Sequence, residues 1–137
     1  MGLGIDAIGT LGGGPPRIGR FTAANDAVFQ AGEVLTLASN EADAGTTNDT
    51  AFIGVSLGTL DNTADGSNVR AYISPDTVYS YSDGTAHAAG ATLDLSANGR
   101  GLAPNSNADF TVIADNLATE PTIFIITPGE HYLHGGG

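Results

Sequence analysis

Several groups of residues in this chain have types and spacings that chemistry can use. Gly54-Val55-Ser56-Leu57-Gly58 matches G-x-S-x-G, the elbow that presents a nucleophilic serine, and His134-Gly135-Gly136-Gly137 has the form of an oxyanion-hole string. A hydrolase of that kind needs its serine on a strand-to-helix turn and its HGGG upstream of the serine. Here the serine falls inside a strand pattern and the HGGG lies downstream. The sequence therefore assigns no catalytic residue, and the chain reads as a protein that is not an enzyme. Asp61-Asn62-Thr63-Ala64-Asp65-Gly66 opens like a Ca²⁺ loop, but Tyr72 stands at the twelfth position, where a bidentate Glu belongs. The ordinary reading is an Asx-rich turn before a strand. His131 and His134, beside Glu130, are three apart, a helical spacing, on a segment that follows Pro128-Gly129. That segment reads as an interface tail and not as a metal centre. Neither a metal nor a cofactor is expected.

Two further groups suit contact better than reaction. Tyr72, Tyr79 and Tyr81 lie on adjacent strand patterns, and period two places Tyr79 and Tyr81 on one face. Tyrosine is enriched at protein interfaces. With His131 and Tyr132 these residues form the expected subunit interface. The other group is the N-terminal segment, where Leu3, Ile5, Ile8, Leu11 and Ile18 are scattered among glycines and Arg17 and Arg20 follow Pro15-Pro16. Gly12-Gly13-Gly14-Pro15-Pro16 bars helix and central strand, because Gly costs entropy and Pro lacks an amide donor. Residues 1–20 are thus expected to be an extended arm. Its contacts to a partner would be Leu3, Ile5, Ile8, Leu11, Pro15, Pro16, Arg17, Ile18 and Arg20. Burying its five large apolar side chains gains roughly 8–15 kcal/mol at ~1.5–3 each. Ordering about twenty residues costs at least ~1 kcal/mol each. Apolar burial alone falls short, so the arm requires main-chain pairing with a neighbouring strand.

Composition sets the outer bounds. A chain of 137 residues is one domain and buries a sizeable core. The absence of Cys removes disulfides and thiolate metal sites. There is no Lys, and the cations are Arg17, Arg20, Arg70 and Arg100, for a net charge of −11. Nucleic acid and anionic membranes are excluded as partners, since both need a basic surface. The charge is uneven: residues 1–20 carry Asp6 against Arg17 and Arg20, a net +1, and the remainder carries −12. No apolar run approaches membrane-spanning length, and Gly and Asp interrupt the apolar start, unlike a secretory signal.

The elements that must position these residues are short strands. Candidates are Val34–Ala38, Ala51–Leu57, Val69–Ser74, Thr77–Ser82, Thr92–Ser96, Phe110–Ala114 and Thr122–Thr127, separated by Gly, Asn, Asp and Ser. No long segment keeps a 3.6-residue apolar stripe. Thr122-Ile123-Phe124-Ile125-Ile126 is continuous, as in a strand buried on both faces. The chain also repeats itself. Ala31-Gly32-Glu33-Val34-Leu35-Thr36-Leu37 aligns with Ala89-Gly90-Ala91-Thr92-Leu93-Asp94-Leu95 at an offset of 58, which also carries Phe52 onto Phe110. Val69–Pro75 then falls on Thr122–Pro128 at an offset of 53. Two such modules, about 30–75 and 88–128 within a body of 21–137, bury their open faces by packing together. The expected fold is all-β, a small closed β-barrel or a jelly-roll-like sandwich, with the extended N-terminal arm outside it.

The Gly-x-x-Leu-x-Leu string, Ile53-Gly54-Val55-Ser56, and Val69-Arg70-Ala71-Tyr72-Ile73-Ser74-Pro75 together resemble small phage head-decoration (capsid cement) proteins, over about residues 25–128. The resemblance implies a compact β-body, commonly trimeric, on the outer capsid surface at three-fold or quasi-three-fold positions, assembled in the host cytoplasm. It implies two partners, the major capsid protein and further copies of the chain itself. The long Gly-Pro arm and the His-bearing tail depart from that pattern. The alternative function is a tail-fibre or adhesin-type β module that binds a glycan or a host surface, with the tyrosine group as its platform.

Overall fold

The computed structural model describes residues 4–24, 28–45, 51–61, 68–96, 99–104 and 107–133, and every regular element among them is a β-strand. They are β1 (Asp6–Thr10), β2 (Ile18–Thr22), β3 (Val28–Phe29), β4 (Val34–Ala38), β5 (Glu41–Ala44), β6 (Phe52–Val55), β7 (Leu60–Asp61), β8 (Asn68–Tyr72), β9 (Thr77–Tyr81), β10 (Thr92–Leu95), β11 (Leu102–Ala103), β12 (Phe110–Val112) and β13 (Thr122–Ile126). All seven strands expected from the alternation of apolar and polar residues form. β13 is the continuous apolar run; it lies in the sheet interior between β12 and β9, with four of its five residues buried.

Two sheets face each other. The larger has the order β1-β9-β13-β12-β10-β11 and is antiparallel throughout. The smaller begins as β5-β4-β6. A single bridge between Ser56 and Ala71, and Leu57 N–H donating to the Arg70 carbonyl at 3.0 Å, then join it to the β2-β8 ribbon. Ile5, Val34, Phe52, Val55, Tyr79, Leu95, Phe110, Phe124 and Ile126 fill the space between the sheets. This is the sandwich expected from the sequence; the closed barrel is not formed. The smaller sheet curls until Ala24 N–H donates to the Ala42 carbonyl at 2.8 Å beside one Ala23–Ala42 bridge. Barrel closure needs a continuous staggered ladder around the ring, and single bridges do not supply one.

The curl encloses a second core. Phe29, Leu35, Ala42, Ile53, Val69 and Ala71 pack on the far face of the smaller sheet, with Phe21, Leu37 and Tyr132 against them. That sheet is therefore buried on both faces. Val34 and Phe52 point into the sandwich, and their chain neighbours Leu35 and Ile53 point into the second core, as the two-residue period of a strand requires.

The internal repeat is real in strand order and altered in facing. Each half sets a central strand between the two that follow it, as β5-β4-β6 and as β11-β10-β12. Phe52 and Phe110, equivalent in the repeat, stack with ring centroids 6.3 Å apart. The expectation that Leu35 and Leu93 occupy equivalent surroundings is corrected. Leu35 and Leu37 face the second core, whereas Leu93 pairs with Phe110 and lies two residues from Leu95 in the sandwich. The two halves differ by one residue in register: Phe52 lies opposite Thr36, whereas its equivalent Phe110 lies opposite Leu93, and a one-residue slip exchanges the faces that a strand presents.

The N-terminal segment is extended, as expected, and pairs with its own chain. β1 runs along β9, from Asp6 opposite Ser80 to Thr10 opposite Thr77. β2 continues along β8, from Ile18 opposite Tyr72 to Thr22 opposite Asn68. Between them Leu11 N–H donates to the Asp76 carbonyl at 3.0 Å, and Ile73 N–H to the Arg17 carbonyl at 2.9 Å. Residues 6–22 and 68–80 thus form one bent ribbon that passes from the edge of one sheet to the edge of the other. The main-chain pairing that the arm's energetics demand is met inside the chain. Gly12–Pro16 is the excess length looped out at the corner.

Candidate functional site

The serine of the G-x-S-x-G string closes a turn. Ser56 is buried at the end of β6; its hydroxyl donates to the Gly58 carbonyl at 2.7 Å, closing a tight turn. Gly54 permits a close crossing. A Cβ there would overlap the Tyr72 carbonyl oxygen and stand 2.8 Å from the Tyr79 hydroxyl. The G-x-S-x-G string is therefore a packing and turn motif. Asn62–Gly66 and His134–Gly137 lie outside the described residues. Among the described residues no cluster of three or more His, Asp or Glu is arranged to hold a metal ion.

The expected subunit interface is corrected in two of its five members. Tyr79 is 1% exposed, and burial pushes its phenol well above the ordinary range. His131 is also 1% exposed; its Nδ1 accepts the Leu133 N–H at 3.1 Å, which leaves the ring proton on Nε2. Both are spent within the chain. Tyr72 and Tyr81 are half-buried against the sandwich core, as period two required of Tyr79 and Tyr81, and Tyr132 packs edge-on to Phe21 with centroids 5.9 Å apart. No freely exposed tyrosine platform for a sugar ring remains among these five.

The contact residues expected in residues 1–20 divide similarly. Leu3 lies outside the described residues. Ile5 is corrected from partner contact to core: it is 1% exposed, and its N–H donates to the Gly32 carbonyl at 3.0 Å. Ile8, Leu11 and Ile18 are exposed, as are Pro15, Arg17 and Arg20, while Pro16 is half-buried. Leu11, Pro15 and Pro16 stand at the corner where the ribbon changes sheets, Ile8 lies on β1, and Ile18 and Arg20 lie on β2. Leu11 overhangs an apolar cleft of about 180 Å³ lined also by Pro75, Ile125 and Pro128, with His131 at its floor. The Gly12–Pro16 loop stands beside it, and Thr10 Oγ1 donates to the Gly14 carbonyl at 2.9 Å to tie the loop down. An apolar, proline-rimmed cleft next to an exposed edge strand is suited to receiving a partner's side chains.

Sequence reasoning missed Pro75, Ile125 and Pro128 as members of this patch. Ile125 reads as core within its apolar run, and only the fold brings it beside Leu11. It also missed Arg70. The β2–β8 register sets Arg70 opposite Arg20, both exposed.

No family model matches this chain, and no curated protein matches it. Among solved structures it is similar to the N base of the head fiber protein gp8.5 of bacteriophage phi29, with a TM-score of 0.51 and 14% sequence identity, covering 81% of this chain and 95% of that one. At that identity the likeness is one of fold: the two chains share a β-architecture along nearly the whole of the phage domain.

Proposed function

We propose that this chain is a non-catalytic virion structural protein that attaches, as an oligomer and most simply as a trimer, to the outer surface of a phage capsid and stabilises it. The observation that carries the reading is the shared fold with a phage head-fiber base across 95% of that base. The resemblance of the Gly-x-x-Leu-x-Leu and Ile53–Ser56 strings to head-decoration proteins supports it independently. The corner patch of Leu11, Pro15, Pro75, Ile125 and Pro128 is the proposed contact with the major capsid protein. An exposed apolar cleft beside the open edge of β1 offers both side-chain burial and main-chain pairing. A trimer would add avidity, because one bound corner holds the others at high local concentration.

The test is sedimentation of the purified protein with assembled heads. Saturable co-sedimentation is expected, and Leu11→Asp should abolish it while the circular dichroism of the β-body is unchanged. Undiminished binding by Leu11→Asp would remove the corner from the contact. No binding to heads by the parent chain would remove the function.

A further inference from the structure

We propose that the Arg20–Arg70 face of the β2–β8 ribbon is a self-association surface that receives the Leu117 loop of a second copy of this chain. The inference deepens the reading above, on whose oligomer it rests, and it assigns to subunit contact residues that the sequence had offered to the capsid.

The chain has four cations, and three of them, Arg17, Arg20 and Arg70, lie on or beside this one ribbon. Arg20 and Arg70 are direct cross-strand partners, both exposed. Like charges opposite each other destabilise a strand pair. Among the described residues no carboxylate lies within ion-pair distance of either guanidinium. Ile18, 49% exposed, stands two residues from Arg20 on the same face. A basic and apolar face on a molecule of net charge −11 finds its complement most readily on a copy of that molecule.

The complement is the loop between β12 and β13. Leu117 is 65% exposed, more than any other large apolar residue among those described. The loop that carries it is fixed from within. The Asn116 amide donates to the Thr85 and Leu117 carbonyls at 3.0 and 2.9 Å and accepts the His87 N–H at 3.2 Å. Glu120 accepts the Leu117 N–H and Asp115 accepts the Ala89 N–H, each at 2.8 Å. An apolar side chain held in solvent by a rigid loop loses little entropy on docking, which is the property of an interface anchor. The exposed carboxylates of Asp115 and Glu120 flank it. One apolar side chain and two anions on the loop meet one apolar side chain and two cations on the ribbon. The two surfaces differ, so the contact is head-to-tail, and such contacts close into a ring when the rotation allows.

The chain has no Cys, which makes cross-linking a clean test. A chain carrying both Ile18→Cys and Leu117→Cys should form covalent trimers on mild oxidation, and neither single variant should. Arg20→Glu with Arg70→Glu, both at exposed positions, should lower the mass seen by light scattering from three chains to one with the β-signature unchanged. Retention of the parent mass by that variant, or equal cross-linking by a single-Cys variant, overturns the assignment. A parent chain that is monomeric at every concentration also overturns it, while sedimentation with heads judges the capsid reading separately.

Discussion

The two halves of this molecule share a strand order and differ in what covers them. In the second half, Leu95, Phe110, Phe124 and Ile126 face the common sandwich, and the outward row, including Ile123, Thr111 and Ser80, is left half-buried. In the first half the sheet is buried on both sides, because β2, β3 and Tyr132 close over its outer face. The equivalent glycines display the contrast in miniature. Gly32 and Gly90 both have left-handed backbones, with φ of 85° and 89°. Gly32 lies directly beneath Gly4, whereas a Cβ on Gly90 would meet open space. A repeated module has thus been turned in one copy into the seat for the N-terminal segment.

The contrast can be broken most violently at Gly54, which has no glycine counterpart in the second half; the offset of 58 places it on Val112. Gly54→Ala should cost about 3 kcal/mol or more, since its Cβ has no room against the Tyr72 carbonyl, and urea denaturation should find the variant largely unfolded. At the centre, Phe52→Ala and Phe110→Ala should each cost about 3–5 kcal/mol. A double-mutant cycle between them should return a coupling of about 0.5–1.5 kcal/mol from the stacked pair. Zero coupling would deny that these two equivalent rings support each other across the halves.

Next in size, Gly32→Ala should lose about 2–4 kcal/mol and Gly90→Ala only about 1–2. Both meet the left-handed backbone penalty, and only the first also clashes. Equal losses would mean that the N-terminal segment is not seated on Gly32.

The smallest effect concerns Glu33, buried at the entry to β4 where the second half has Ala91. Burial holds its carboxyl above the ordinary value of 4.5, although the Gln30 N–H and the Arg100 guanidinium pull it back. A carboxyl raised in the folded state binds its proton more tightly there than in the unfolded chain. Its contribution to stability is therefore complete below pH 4.5 and is lost as pH rises through the folded value. Glu33→Gln should be more stable than the parent at pH 7, and the difference should vanish as the pH approaches 4.5 in thermal melts.

Much of this fold is legible in the sequence because strands reveal themselves through alternation. Seven of the strands and the repeat follow from apolar spacing, and Gly12–Pro16 marks a break where no helix or central strand can form. The short strands β3, β5, β7 and β11 are not legible. β5, for example, is Glu41-Ala42-Asp43-Ala44, and only Ala42 is buried. It is set by the two-residue turn at Ser39 and Asn40, both with positive φ, that folds it back on β4. The facing of Leu35 and Leu93 is also hidden, since a one-residue difference in strand register leaves no mark in composition. The candidate site was half visible. Leu11, Ile18 and Arg20 stood out as apolar and basic residues in an acidic chain. Ile125 and Arg70 joined them only through the pairing of β13 and β8 with their neighbours, while Ile5 and Tyr79 were drawn into the sandwich core and His131 was buried beside β6.

The proposed contact of this body with a phage shell is tested most directly by counting bound copies. Cryo-electron microscopy of heads incubated with excess protein should reveal a β-sandwich at a fixed set of symmetry-related outer sites, with the Leu11 corner toward the shell. Heads that carry no added density at saturating protein would contradict it.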